Sequence, residues 1–288
     1  MRNDNIRPSQ PYAVLYAHNF TQDIMLEHGI SHFYSCDLEC GSMIRLVPTG
    51  CIDLIFEYGD DNSLISVYVQ GTVLKYTEKR QDISSTHFGV RFMPGFRPAF
   101  LRYPMVDLVN KRIRLAPEGF EALLIRKLGK AADFATRVEA FLEIYTKSEA
   151  DRPLVSGKRK IVEVVKDRAY KSQGKVEIAT LQEDTGYTVR YINKVFIEEM
   201  GFSPKTFCKI LQFQHAIEFL NYGSLSWSYG KTEEDLPTKM SDVASYLGYY
   251  DQPQFIRDFK RYAGRTPKKY LELVSGDKYR ERIQYYER

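Results

Sequence analysis

The stretch Val243 to Tyr270 reads VASYLGYYDQPQFIRDFKRYAGRTPKKY, and it restates what Leu181 to Phe207, LQEDTGYTVRYINKVFIEEMGFSPKTF, has already spelled out. In both, a glycine-aromatic pair is followed by a phenylalanine, a second glycine, a proline and an aromatic. Gly186 to Phe196 is ten residues and Gly248 to Phe259 eleven, while Phe196 to Gly201 and Phe259 to Gly264 are both five. Each second glycine stands three before its proline (Pro204, Pro267), and each proline three before its aromatic (Phe207, Tyr270). A spacing kept at so many points marks an internal duplication.

Each copy reads as a helix-turn-helix. In the first, Gly186 ends one helix as a left-handed cap and Thr188 opens the next as N-cap. Ile192, Val195, Phe196 and Met200 then form an apolar stripe, with Arg190, Asn193 and Lys194 on another side. In the second, Val243, Ala244 and Leu247 pack a short helix closed at Gly248, Asp251 and Gln254 make a capping pair, and Pro253 is harmless in a first turn. Phe255, Phe259 and Tyr262 face inward and leave Gln254, Arg257, Asp258 and Arg261 outward. Arginine can read guanine, and asparagine or glutamine adenine, by paired hydrogen bonds in a major groove. Gln254 and Arg257 are therefore expected base readers, and Lys260 a phosphate contact. Either helix alone reads more readily as an ordinary surface helix with a solvated polar face; the duplication tips the reading toward DNA. Between the copies, Lys205 to Asn221 carries Phe207, Ile210, Leu211, Ile217 and Leu220 at helical spacing without Pro or Gly, which predicts one rigid connecting helix.

The second copy, ASYLGYYDQPQFIRDFKRYAGRTPKKY, and the GYTVRYINKVFIEEMGFSPKTF of the first resemble the AraC/XylS family of transcription regulators over about residues 160 to 272. The resemblance implies a seven-helix domain whose two recognition helices enter successive major grooves on one face of promoter DNA, with activation the family tendency. It places Arg190, Asn193 and Lys194, and Gln252, Gln254 and Arg257, at contacting positions. Gln182 departs from the small alanine usual in the first short helix, so its side chain either alters the packing there or reaches outward. Tyr222 to Lys239 is longer than the usual connection and is expected to bulge as a loop, either inert or contacting a partner such as RNA polymerase. The tail after Tyr270 is polar and aromatic and reads as a fraying end.

Charge follows the duplication. Residues 1–150 hold 17 Lys+Arg against 18 Asp+Glu, and residues 151–288 hold 24 against 19, within a net charge of +4. That excess is modest, so the DNA reading rests on where the cations fall. No apolar run approaches the roughly 20 residues of a membrane helix, and MRNDNIRPSQ lacks the apolar core of a signal peptide, so no membrane association and a cytoplasmic protein are expected. Cys36, Cys40, Cys51 and Cys208 are too few and uneven for a disulfide framework.

Upstream, β-branched and aromatic runs alternate with turn residues from Tyr12 to about Phe100: Met43 to Val47, Ile52 to Tyr58, Ile65 to Tyr76, Phe88 to Phe92. Two helices follow, with stripes at Phe120, Leu123, Leu124 and Leu128, then at Phe134, Val138, Phe141, Leu142 and Tyr145. A hinge is placed at about 148 to 158. The organisation is α+β with two domains: residues 1–150 a β-rich sensor or dimerisation domain with trailing helices, 158–272 the DNA-binding domain, and 273–288 a polar tail. RLVPTGCIDLIFEYGD and FGVRFMPGFRPAFL look like the sensor halves of some members of this family, which implies a cupin-like barrel without a catalytic metal that binds a small-molecule effector or pairs two chains as a homodimer.

Alternation along Phe88 to Phe92 sets Arg91 opposite Phe88, Val90 and Phe92, where it meets either a ligand carboxylate or, more naturally, an internal acid such as Asp53. The aromatics Tyr12, Tyr16, Phe33, Tyr34, Phe56, Tyr68 and Tyr76 line an apolar pocket or fill a core. His28, His32, Cys36 and Cys40 recur every four residues, a metal-ligand pattern on a helix, but Gly29 and the β-prone ISHFYSC argue for a strand. No cofactor or metal is expected. The rival class, a DNA-repair or metal-dependent enzyme carrying a helix-turn-helix, finds no Pro-Cys-His nucleophile box and no tight His/Glu cluster.

Overall fold

A computed structural model describes residues 8–150, 157–222 and 239–286. The N-terminal part is built on a seven-stranded sheet in the order β8-β5-β4-β7-β2-β1-β9. Its strands are β1 (His18–Ile24), β2 (Ile30–Leu38), β4 (Asp53–Tyr58), β5 (Leu64–Gln70), β7 (Ser85–Phe92), β8 (Arg112–Arg114) and β9 (Gln284–Tyr285). A separate two-stranded sheet pairs β3 (Met43–Leu46) with β6 (Thr77–Arg80). The sheet has two ends, β8 and β9, so the described strands form an open sheet rather than a closed barrel.

Strand alternation divides this sheet into two faces of different chemistry. Phe33, Leu54, Phe56, Val67, Val69, Phe88, Val90 and Phe92 point one way, into a core closed by α3 (Gly119–Leu128) and α4 (Phe134–Ala150) through Leu124, Leu128, Val138, Phe141 and Tyr145. The short α2 (Met105–Leu108) completes that layer. His32, Tyr34, Asp53, Glu57, His87 and Arg91 point the other way and are buried as well. Burying so much polar surface requires internal partners, because an unpaired buried polar group costs about 1–3 kcal/mol.

Pro11 to Tyr16 is a helix, α1, although its tyrosines and valine favour strands. Proline in its first turn suits a helix start, and the helix buries Tyr12, Val14 and Leu15 in a core shared with the far end of the chain. There the described residues form α5 (Gly157–Lys171), α6 (Leu181–Thr185), α7 (Val189–Met200), α8 (Pro204–Tyr222), α9 (Met240–Tyr246), α10 (Gln252–Ala263) and α11 (Pro267–Gly276). The first copy of the repeat has its own core of Ile161, Val165, Leu181, Ile192, Val195, Phe196 and Phe207. The second joins Phe213, Ile217, Phe255, Phe259, Tyr262 and Tyr270 to Tyr12, Leu15, Phe20 and Tyr34 of the sheet side.

The connecting helix α8 is accordingly buried nearly all round, and its Gln214, 1% exposed, pins the halves together. Its side chain accepts from Ser9 N–H at 2.8 Å and donates to Pro48 O at 2.6 Å.

The expectation of a fraying tail is corrected. After α11, Tyr279–Arg282 makes a 3-10 turn with Tyr279 buried, and β9 pairs in parallel with β1. Arg280 donates to Asn221 O and Arg282 to Val14 O, both at 3.1 Å. Polar composition disguised a docked strap, because its ordering comes from partners more than 200 residues away in sequence, β1 and Val14. The hinge at 148–158 falls partly, and the 222–239 insertion almost wholly, outside the described residues.

Candidate nucleic-acid interface

The repeat is a repeat of caps. Gly186 (φ +72°) closes α6 in the left-handed region, and the Thr188 hydroxyl accepts from Tyr191 N–H at 3.4 Å to open α7. In the second copy Gly248 (φ +81°) follows α9, and the Asp251 carboxylate accepts from Gln254 N–H at 2.6 Å to open α10. The Gln254 side chain returns the bond, accepting from Tyr250 N–H at 3.0 Å. Both long helices then end on a left-handed glycine, Gly201 (φ +81°) and Gly264 (φ +73°). Two residues later a hydroxyl, Ser203 or Thr266, caps the next helix ahead of its proline. That sequence of local requirements is why Gly and Pro recur three apart. The conserved spacing also brings the same pair of rings together: Phe196 and Phe207 at 5.8 Å, Phe259 and Tyr270 at 5.4 Å.

With those stripes inward, the predicted contact residues lie on the outside. Thr188, Arg190, Lys194, Arg257 and Lys260 are exposed, and Asn193, Gln252 and Gln254 half-buried. They do not have equal freedom. Asn193 donates to Val189 O of its own helix at 3.0 Å, and the Gln254 carbonyl oxygen is held by the cap. Lys194 lies 3.9 Å from Glu198, which also holds Lys158 at 2.9 Å. Arg190, Arg257 and Lys260 make no ion pair among the described residues, whereas Asp258, read as outward, is tied to Lys209 of α8 at 3.1 Å. Gln182 reaches outward, its carbonyl oxygen accepting from Val189 N–H at 3.2 Å. It adds a cap to α7 instead of crowding the core. Tyr250, 94% exposed one residue before the α10 cap, is an outward aromatic that helical periodicity did not flag, because it precedes the helix.

The sheet domain meets both long helices at their ends. A Cβ on Gly201 would fall 2.9 Å from Met105 O of α2, and one on Gly264 would fall 2.8 Å from the Tyr76 ring. The Tyr12 hydroxyl donates to Ala263 O, and Tyr76 N–H to Arg261 O at 3.2 Å.

Behind the helices, the polar face of the sheet encloses a cavity of about 370 Å³. One transverse rung of paired strands crosses it: Ile24, His32, Arg91, Asp53, Gln70 and Arg112. Gly89 lies opposite Tyr34, and its missing side chain leaves the space the Tyr34 ring occupies. Helical residues Glu218 and Tyr222 and the strap residues Tyr279, Arg280 and Tyr285 supply the opposite wall. Arg91 takes the internal alternative, as its guanidinium forms a two-pronged pair with Asp53, one bond at 2.8 Å, and Tyr34 also donates to that carboxylate. Burial disfavours the Arg91 charge, but Asp53 outweighs it and raises the guanidinium above its ordinary value. Glu57 accepts from Ser66 at 2.6 Å and from Gln81 at 3.1 Å, with His87 at 3.3 Å. The His87 bond, first among several, holds the Glu57 carboxyl well below its usual range, while burial keeps His87 below its own. The aromatics divide: Phe33 and Phe56 are core, and Tyr12, Tyr16 and Tyr34 line the cavity. His32 and Cys36 sit on strand β2, as Gly29 and the β-prone sequence suggested.

Two capped helix-turn-helix units, with cations that make no ion pair among the described residues turned outward and one helix between them, form the arrangement that a bipartite DNA reader would need. Residues 235–272 match the model of bacterial regulatory helix-turn-helix proteins of the AraC family, and residues 23–114 match a domain of unknown function (DUF6597). Over residues 235–272 the chain is thus similar to AraC-family transcription regulators. No curated protein matches its sequence. Among solved structures, ToxT from Vibrio cholerae O395 is 12% identical over 87% of this chain and 100% of its own, with a TM-score of 0.43. Wild-type ToxT from strain SCE256 with an unsaturated fatty acid bound is 13% identical over 85% and 95%, at 0.40. A DNA-binding transcriptional dual regulator from Escherichia coli K-12 is 18% identical over 44% and 96%, at 0.31. At such scores these are distant likenesses of shape. Among the described residues, no helix is long and apolar enough to cross a membrane.

Proposed function

We propose that α7 and α10 read two major-groove segments of promoter DNA and that a small molecule in the sheet cavity modulates this reading. The observation that carries the DNA half is the pair of identically capped helices whose Arg190, Arg257 and Lys260 project unpaired beside a common connecting helix. An exposed guanidinium with no internal partner keeps its donors for a base edge or a phosphate. Gln252, Gln254 and Lys194 assist, and Thr188 and Asn193 contribute through the geometry of their helix start. The observation that carries the effector half is a cavity walled on one side by the sheet and on the other by α8 and the strap. A ligand there touches both halves of the molecule at once. The protein acts in the cytoplasm in this reading.

Arg257→Ala tests the DNA half by gel shift on the cognate promoter. The expected outcome is a loss of about 1–3 kcal/mol in specific binding with relaxed selectivity at one base pair. Equal affinity of variant and parent removes α10 as a reader.

A further inference from the structure

Exposed aromatic rings are not scattered evenly over this surface. Among the described residues the exposed tyrosines are Tyr187, Tyr191, Tyr250, Tyr285 and Tyr286. The last two belong to the strap, and the other three stand at the starts of α7 and α10. Tyr187 comes one residue before the Thr188 cap of α7, and Tyr250 one residue before the Asp251 cap of α10. Counting from either tyrosine, i+4 is Tyr191 or Gln254 and i+7 is Lys194 or Arg257, a spacing that lies along one strip of a helix. In both copies an exposed ring therefore heads the strip that carries an expected DNA contact.

The copies reach this arrangement by different routes. In the first, Tyr187 follows Gly186 directly, and its ring lies 5.1 Å from that of Tyr191. In the second, the tyrosine that follows Gly248 turns inward: Tyr249 is buried, its ring 4.9 Å from Phe255. The extra residue of that copy, Tyr250, takes the outward place. Its backbone is held, because Tyr250 N–H donates to the Gln254 side chain at 3.0 Å. A ring presented on a fixed backbone, with only two side-chain torsions, loses little freedom when another surface closes on it.

The first residues of a recognition helix are the ones that meet base edges in a major groove. The bases present hydrogen-bonding atoms there, and thymine adds the C5-methyl, the apolar group of that surface. We propose that these tyrosines read thymine: Tyr250 packs its ring on a thymine methyl in one groove, and Tyr191, braced by Tyr187, packs on another in the next. This rests on the reading of α7 and α10 as groove readers and names a base that they select. Polar side chains such as Arg257 serve guanine and adenine, and an aromatic face serves the methyl. The competing role is a phosphate contact through the phenol hydroxyl, which phenylalanine would lose and a methyl contact would not.

The experiment selects a duplex from a randomised pool with the full chain, then measures gel-shift affinity for that duplex with each thymine in turn replaced by deoxyuridine, which removes only the methyl. The parent should weaken about three- to fivefold at one thymine in each groove, the effect of one buried methyl, with the two positions about one helical turn apart. Tyr250→Ala should abolish the difference between thymine and deoxyuridine at one of these positions, and Tyr191→Ala at the other. Tyr250→Phe should keep it. Both side chains are exposed, so the readers should fold in every variant, and Ile83→Ala, an exposed apolar change on the sheet domain, should leave binding intact. Parental affinity at every deoxyuridine position overturns the thymine assignment while the DNA reading stands. Equal losses in Tyr250→Phe and Tyr250→Ala, with the deoxyuridine difference kept in both, overturn it in favour of the phosphate contact. A difference unchanged in all variants removes the tyrosines as its readers. A pool that yields no preferred sequence overturns the groove reading and this inference with it.

Discussion

Replacing single glycines by alanine separates what a glycine does for its own helix from what it does for the docking of the sheet domain. Gly186 and Gly201 both sit in the left-handed region, at φ +72° and +81°, so alanine at either one incurs the same backbone penalty, about 1–2 kcal/mol. Their surroundings differ. A Cβ at Gly186 meets nothing within 4 Å, whereas one at Gly201 falls 2.6 Å from Val109 Cγ2 and 2.9 Å from both Met105 O and Val106 Cα. Two of those three atoms are backbone, so relief requires α2 to move off α7, at a further cost of about 1–3 kcal/mol. Gly264 is intermediate, because its obstacle is the Tyr76 ring, which can turn. Urea denaturation followed by far-UV circular dichroism should rank the losses Gly201→Ala, Gly264→Ala, Gly186→Ala. Hydrogen exchange should show α2 loosened only in the first. Equal losses at Gly186 and Gly201 would refute the claim that the domains meet at the helix cap.

The remaining expectations address the same interface. Gln214→Met removes the bonds to Ser9 and Pro48 while keeping the shape, and leaves two buried backbone groups unpaired; a stability loss of about 2–4 kcal/mol is expected in the same assay, and a loss under about 0.5 would show that water replaces the amide. Burial first, and the Lys175 charge second, lower His215 from 6.5 to about 3. The unfolded chain alone therefore takes up this proton as the pH falls from about 6.5 to 3, so stability is full above that window and declines through it, by up to about 5 kcal/mol. His215→Leu should flatten that acid limb in pH-dependent melts, and an unchanged slope would count against it. Ending the chain at Gly276 removes Tyr279, the Arg280 and Arg282 bonds and β9, and should speed hydrogen exchange in β1; unaltered protection there would mean that the strap does not hold the edge.

Much of the helical half is legible in the sequence, because it is written in local physics. A cap, a left-handed glycine, a proline at a first turn and an apolar stripe each act over four residues or fewer, so Gly186, Thr188, Asp251, Gly264 and Pro267 state their roles in sequence order. The same holds for the two faces of β7, where alternation alone set Arg91 against Phe88, Val90 and Phe92. Tertiary structure decided what depends on distant partners. It closed the question of Arg91 in favour of Asp53, left Arg112 at the far end of a rung drawn from six strands, turned an apparent loose end into a strap on β1, and made Pro11 to Tyr16 a helix because its buried face meets the second reader. These outcomes turn on pairings across tens to hundreds of residues, which periodicity of 2 or 3.6 does not encode. The residues that make the two readers came from the chain read along its length, and the contacts through which the sheet domain grips them came from the chain folded back on itself.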